Sequence, residues 1–138
     1  MARVPYVKRD DLNAAEKTMY DRIRNDRNAP EVGLQFRALL NNPEAASYLT
    51  SMGAVLRFKS AIPENLKEFA ITAIAREWNS DIEWTAHAAL AAKVGVSATS
   101  IEAVRTGKGL DALTADEKTM LAFVHEDRKS TRLNSSHG

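Results

Sequence analysis

The feature that most constrains this chain is a regular succession of helix start and stop signals along its length. The segments Asn13–Glu16 and Thr114–Glu117 each have the capping-box pattern of a helix N-terminus. Asn42-Pro43 places a capping residue before a proline that suits the first helical turn, and Gly95 suits a left-handed helix end. No segment shows the alternation of apolar and polar residues that is typical of a strand. The sequence therefore predicts an all-α helical bundle with short connections.

Breaks in the pattern give the approximate extents of the predicted helices. Three helices are predicted to begin after Asn13, at Pro63 and after Thr114. Four others have both ends predicted: Leu34 to Leu40, Pro43 to about Phe58, Ser80 to about Val94, and Ser97 to Arg105.

Apolar spacing predicts which faces of two of these helices are buried. After Pro63 the core stripe is Leu66, Phe69, Ala70, Ala73 and Ile74. Glu68 lies off that stripe, so its phase alone predicts a solvated side chain. After Ser80 the predicted core stripe is Ile82, Ala86, Ala89, Leu90 and Val94, and a second face carries Trp84, His87, Ala88 and Ala91. That second face needs a partner helix in this chain or in another subunit.

The same helix carries a glutamate and a histidine with a spacing that suits shared chemistry. Glu83 and His87 are four residues apart and lie on one helical face. An ordinary interpretation exists for each residue. Ser80 and Glu83 also form a capping-box pattern, and a histidine among alanines is often a satisfied core residue.

Three further side chains are candidates for substrate binding. Arg57 and Arg76 have the planar guanidinium group that pairs with a carboxylate, although most arginines have no such role. Trp84 is the third candidate, with packing as its more common role.

The pattern Glu68, an eleven-residue gap, then Ser80-x-x-Glu83-x-x-x-His87 resembles the carboxymuconolactone decarboxylase family, which includes the alkyl hydroperoxidase D-like proteins. The resemblance runs from Val4 to about His125. It implies that Glu68, Glu83 and His87 are catalytic, and that the substrate is a small lactone or carbonyl compound. Decarboxylases of the family have an arginine two positions after the histidine, where this chain has Ala89.

The resemblance also implies an assembly and an alternative activity. Family members form homo-oligomers, often trimers or hexamers. The peroxidase branch of the family has cysteines at the positions of Ser80 and Glu83. A peroxiredoxin activity is therefore the alternative that the family name implies. A third alternative is a non-catalytic oligomer that binds a small ligand. We predict neither a metal nor a cofactor.

Composition narrows the classes of function. The 138 residues contain no cysteine, which excludes disulfides, thiolate metal sites and a cysteine nucleophile. The net charge of +1 comes from interspersed acids and bases, so we expect no nucleic-acid partner. No apolar run reaches membrane-spanning length and no signal-peptide pattern is present, so we expect no membrane partner and a cytoplasmic protein.

The stretch 127–138 resembles a translated sequencing adapter. We therefore predict one domain over residues 1–126, a non-native tail over 127–138, and a bundle of the alkyl hydroperoxidase D-like type that lacks its C-terminal helices. A frayed natural terminus is the alternative. The missing helices would leave Met120 and Phe123 partly exposed.

Overall fold

The computed structural model describes the backbone of residues 4–135 and the side chains of residues 4–127 and 129. This part of the chain is all-α and contains no strand, which confirms the predicted fold class. Its helices are α1 (Ala14–Asp26), α2 (Leu34–Leu39), α3 (Pro43–Phe58), α4 (Glu64–Glu77), α5 (Asp81–Lys93), α6 (Ala98–Thr106) and α7 (Ala115–Ser135). Among the described residues, no helix combines the length and the apolar character that crossing a membrane would require.

The chain divides into two compact units, residues 1–60 and 61–138. The first unit contains α1 to α3, and the second contains α4 to α7. The predicted single domain over residues 1–126 stays a prediction.

The first unit is built around the apolar face of α1. The Asn13 side chain accepts from the Glu16 N–H, and the Glu16 carboxylate accepts from the Asn13 N–H, so the predicted capping box is confirmed. Asn42 caps α3 by accepting from the Ala45 N–H at 3.1 Å. Together these caps set the starts of α1 and α3. The buried core residues are Leu12, Tyr20, Ile23, Val32, Leu40 and Ala46.

In the second unit, α4 is the helix that touches all the others. It contacts α5, α6 and α7. Phe69 and Ala73 on its buried face lie in one apolar cluster with residues from the other three helices. The remaining buried members of that cluster are Ala91, Val96, Ala103, Val104, Leu113, Leu121 and Val124.

Two left-handed residues end α4 and α5. Asn79 has φ +51° and Gly95 has φ +98°. In each case the next residue's N–H returns to a carbonyl five residues earlier, from Ser80 to Ala75 and from Val96 to Ala91, both at 2.9 Å. This is the Schellman ending, which satisfies carbonyls that a helix end otherwise leaves without donors. The predicted stop at Gly95 is confirmed.

The starts of α6 and α7 share one hydrogen-bonded network. Ser97 caps α6, and the Ser97 hydroxyl also donates to Ser100 Oγ at 2.9 Å. Ser100 in turn donates to the carboxylate of the buried Glu117 at 2.9 Å. That carboxylate also accepts from the Thr114 N–H, so the predicted capping box of α7 is confirmed. One buried carboxylate therefore holds two helix starts together.

The predicted core stripe of α5 is wrong at Ile82, Ala86 and Ala89, while its other members, Leu90 and Val94, are half-buried. The second face predicted for this helix does pack inside the unit. Ile82 is 82% exposed, Ala86 and Ala89 are exposed, and the face with Trp84 and Ala91 is the one that packs inward. Ala91 is fully buried. The physical reason is that small residues allow α5 to approach α4 closely, and this close packing outweighs the burial of the larger Ile82.

The last helix continues across part of the stretch that resembles an adapter. The backbone of α7 stays helical to Ser135, and the origin of residues 127–138 stays a prediction. Phe123 is 69% exposed, and Met120 packs half-buried against the apolar cluster. Both side chains are therefore at least partly exposed, as expected from the sequence.

We expect Asn79→Ala to destabilise the protein by about 1–2 kcal/mol, because a Cβ residue other than Asn is disfavoured in the left-handed region. Asn79→Gly should cost much less. The measurement is urea unfolding, with Asn65→Ala on the exposed first turn of α4 as the control. An equal loss for Asn79→Gly and Asn79→Ala would show instead that the Asn79 side chain, which accepts from Arg76 Nη1 at 3.0 Å, carries the effect.

Candidate functional site

Three side chains of the second unit meet between α4 and α5. Glu68 comes from α4, and Glu83 and His87 come from α5. The short connection between these helices reverses the chain, so the middle of α4 lies against α5. The structure thus brings together the three residues that the sequence resemblance implies are catalytic.

The central contact joins the Glu68 carboxylate to the His87 imidazole. The distance from Glu68 Oε2 to His87 Nδ1 is 2.7 Å. Glu68 is 1% exposed and the His87 side chain is 16% exposed. An ionised carboxylate can only accept a hydrogen bond, so Nδ1 carries the hydrogen and donates it. The contact therefore fixes the orientation of the ring and leaves the other nitrogen, Nε2, to exchange protons.

Glu68 is buried, so the prediction of a solvated side chain from its helical phase is wrong. Phase predicts a solvated side chain, but the buried face of α4 comprises Glu68, Phe69, Thr72, Ala73 and Ala75. Ile74, which belongs to the predicted core stripe, is exposed. The buried face is rotated because α4 has neighbours on several sides, so no single stripe describes it.

Glu83 contacts the outer nitrogen of the same imidazole. Its Oε2 lies 3.4 Å from His87 Nε2, and its side chain is 49% exposed. This distance exceeds the usual length of an N–H···O hydrogen bond, so the contact is weak. A bound molecule is able to take the place of Glu83 beside Nε2 without loss of a strong hydrogen bond.

The alternative role of Ser80 and Glu83 as a capping box is not realised. Ser80 is the N-cap residue of α5, but its side chain makes no cap hydrogen bond. The Ser80 N–H instead completes the Schellman ending of α4. Glu83 is consequently directed to His87, one turn further along α5.

The three candidates for substrate binding have different surroundings. Trp84 packs half-buried against the apolar cluster of the second unit. Arg76 donates from Nε to the Arg105 carbonyl at 2.8 Å and from Nη1 to Asn79, so it supports the ends of α4 and α6. Arg57 lies on α3 in the first unit. Their roles in substrate binding stay predictions.

A second histidine and glutamate pair links α7 to the end of α4. His125 Nε2 lies 3.2 Å from Glu77 Oε1, and both side chains are more exposed than Glu68. The sequence gives no signal for this pair, because its members are far apart in the chain and share no motif. Its exposure makes it a useful internal reference for the buried pair.

No protein-family model matches this chain, and no curated protein or solved structure matches it. The geometry of Glu68, Glu83 and His87 and the resemblance of their spacing are therefore the features that indicate a function.

We expect the neutral imidazole of His87 to carry its hydrogen on Nδ1. Nitrogen NMR of ¹⁵N-labelled protein reports this tautomer directly. Glu68→Ala should remove the preference of His87 for this tautomer. It should also lower the free energy of unfolding by about 1–3 kcal/mol, because a mostly buried donor loses its acceptor. The His125 signals should stay unchanged, which verifies that α4 and α7 remain packed. A neutral His87 with its hydrogen on Nε2 in the unsubstituted protein would contradict the assignment.

Proposed function

We propose that this chain is a carboxymuconolactone decarboxylase-like enzyme of the alkyl hydroperoxidase D-like fold. In this proposal it is a lyase that acts on a small lactone or a related carbonyl compound, with His87 as the general acid and base. The observation that carries the proposal is the 2.7 Å contact between His87 Nδ1 and the buried Glu68 carboxylate.

A buried carboxylate behind a histidine is an arrangement that suits proton transfer. Glu68 holds the ring in one orientation, as the carboxylate does in other carboxylate and histidine pairs. Its negative charge balances the positive charge of the ring whenever Nε2 holds a second proton. Packing alone would not require a carboxylate at this position, since burial of a charged group is costly unless it is paired.

The proposed reaction begins with a carboxylated lactone. The bond between the carboxylate carbon and the ring breaks, carbon dioxide leaves, and the electron pair stays on the ring carbon, where it is delocalised toward the adjacent carbonyl. His87 Nε2 then gives its proton to that carbon or to its delocalised partner. Glu83, half-exposed beside Nε2, connects the imidazole to solvent protons for the next cycle.

The identity of Ala89 argues for a substrate related to carboxymuconolactone but different from it. Decarboxylases that the motif resembles have an arginine at this position, and Ala89 offers no charge to a substrate carboxylate. Trp84 and Arg76 remain proposed contacts to substrate, and the role of Arg57, which lies in the first unit, stays a prediction. Arg76 would have to exchange one of its present hydrogen bonds to take this role.

We also propose that the protein assembles as a homo-oligomer, a trimer or hexamer. The observation in favour is the outward face of α5, where Ile82 is 82% exposed and Ala86 and Ala89 are exposed beside it. Burying a large aliphatic side chain such as Ile82 stabilises a protein by roughly 1.5–3 kcal/mol.

The lyase proposal predicts release of carbon dioxide from members of a panel of small carboxylated lactones and related keto acids. His87→Gln should reduce turnover by roughly 10²–10⁴-fold, because it removes the general acid. His125→Gln, which alters the exposed pair, is the matched control and should retain activity. Saturable binding of these compounds without turnover would favour the non-catalytic ligand-binding alternative instead.

A peroxiredoxin activity requires a thiolate that attacks the peroxide and a second thiol that resolves the sulfenic acid. The chain contains no cysteine. We therefore expect no consumption of hydrogen peroxide coupled to dithiothreitol by the purified protein in the presence of a chelator. Peroxide consumption that increases in proportion to protein concentration would contradict this expectation.

A further inference from the structure

Helix α3 is apolar on the side that faces away from the core of the first unit. Its inner side carries the buried Ala46 and Thr50. The helix has no charged residue between Glu44 and Arg57, and a helix that lacks a charged face is typical of a buried position. Its outer side nevertheless presents five large apolar side chains, each at least 47% exposed: Tyr48, Leu49, Met52, Val55 and Leu56. A contiguous apolar face of this kind marks an interaction surface.

The spacing of these five side chains indicates that the partner is another helix. They recur at intervals of three and four residues, which keeps them on one face of α3. Met52 lies at the centre of that face, with Tyr48 and Val55 on one side of it and Leu49 and Leu56 on the other. A helix laid along Met52 therefore contacts both flanking pairs, as in the seam of a coiled coil.

The charges at the two ends of the face favour a second copy of α3 in the antiparallel orientation. Glu44 lies in the first turn of α3 and Lys59 is its C-cap residue, and both are exposed. Met52 is eight residues after Glu44 and seven before Lys59. A two-fold axis at Met52 thus sets Glu44 of one copy level with Lys59 of the other, to within about one residue rise of 1.5 Å. A parallel pair would instead place like charges together, which opposes association.

The same axis also matches the apolar side chains of the two copies. Met52 meets Met52 of the second copy, Tyr48 lies level with Val55, and Leu49 lies level with Leu56, each to within one residue. From their exposed fractions, the five side chains offer roughly 600 Å² on each copy, which reaches the lower limit of a standard protein interface, about 1,200 Å² over both partners. The face is therefore large enough for a specific pair.

We propose that the outer face of α3 binds α3 of a second copy of this chain, antiparallel about a two-fold axis at Met52. Both copies then contribute the same residues, as an isologous contact requires. This contact belongs to the first unit, uses a different surface from the outward face of α5, and does not depend on the proposed reaction at His87. Alone it forms a dimer, and it joins two trimers into a hexamer where α5 closes a trimer.

The experiment measures the mass of the full chain by analytical ultracentrifugation over a range of concentrations. Met52→Glu should halve the mass of the assembly and raise the dissociation constant of the pair by roughly 10²-fold or more, because two like charges meet at the axis. Met52→Lys should do the same. An equimolar mixture of the two variants should recover the mass of the unsubstituted protein, since the substituted residues then attract each other. Recovery on mixing also shows that both variants are folded.

A charge exchange at the ends of the face tests the antiparallel orientation. Glu44→Lys and Lys59→Glu should each raise the dissociation constant several-fold, and the double variant should restore it, because each residue pairs with the other across the axis. Asn25→Glu is the matched control, since Asn25 is exposed on α1 in the same unit, and it should keep the mass of the unsubstituted protein. Ile82→Glu, on α5, should still leave a dimer.

Three results would overturn the proposal. The first is an unsubstituted chain that is a monomer at every concentration, which is also the result expected when the face serves a different protein. The second is a Met52→Glu variant with the mass of the unsubstituted protein. The third is a mixture of Met52→Glu and Met52→Lys that shows no recovery of mass.

Discussion

The hydrogen bond between the buried Glu68 carboxylate and His87 is the constraint on which the arrangement of the second unit depends. A carboxylate that is 1% exposed has lost nearly all contact with water, and its burial is tolerable only with strong compensation. His87 supplies part of that compensation from α5, at 2.7 Å. Leaving one partner of a buried hydrogen bond without the other commonly costs about 1–3 kcal/mol, which is a sizeable fraction of a small protein's stability. The contact therefore has a structural effect as well as a chemical one.

Local features of this chain were predictable from sequence because they depend on a few adjacent residues. The caps at Asn13, Asn42 and Thr114 and the stop at Gly95 follow from hydrogen bonds and backbone preferences within one turn. The all-α fold follows from the same signals. Such features are independent of how the helices pack, which is why the sequence determines them well.

The buried faces were less predictable, because several arrangements of apolar residues satisfy the same periodicity. On α5 the larger residues suggested one core face, while the close approach of α4 selected the face with Ala91. Glu68 lies inside because its partner, His87, is on another helix, and no pattern within α4 contains that information. Only the spacing shared with a known motif linked the two residues.

The short connection between α4 and α5 has a consequence for how the protein folds. Glu68 and His87 are 19 residues apart in sequence and belong to two successive helices joined by Trp78, Asn79 and Ser80. Closing such a small loop loses little chain entropy, so contacts of this kind form early on the folding pathway. We therefore expect the two helices to form a local hairpin that orients both side chains. The three residues of the candidate site accordingly lie within one contiguous segment of the chain, from Glu68 to His87, so their mutual arrangement depends on a single helix pair.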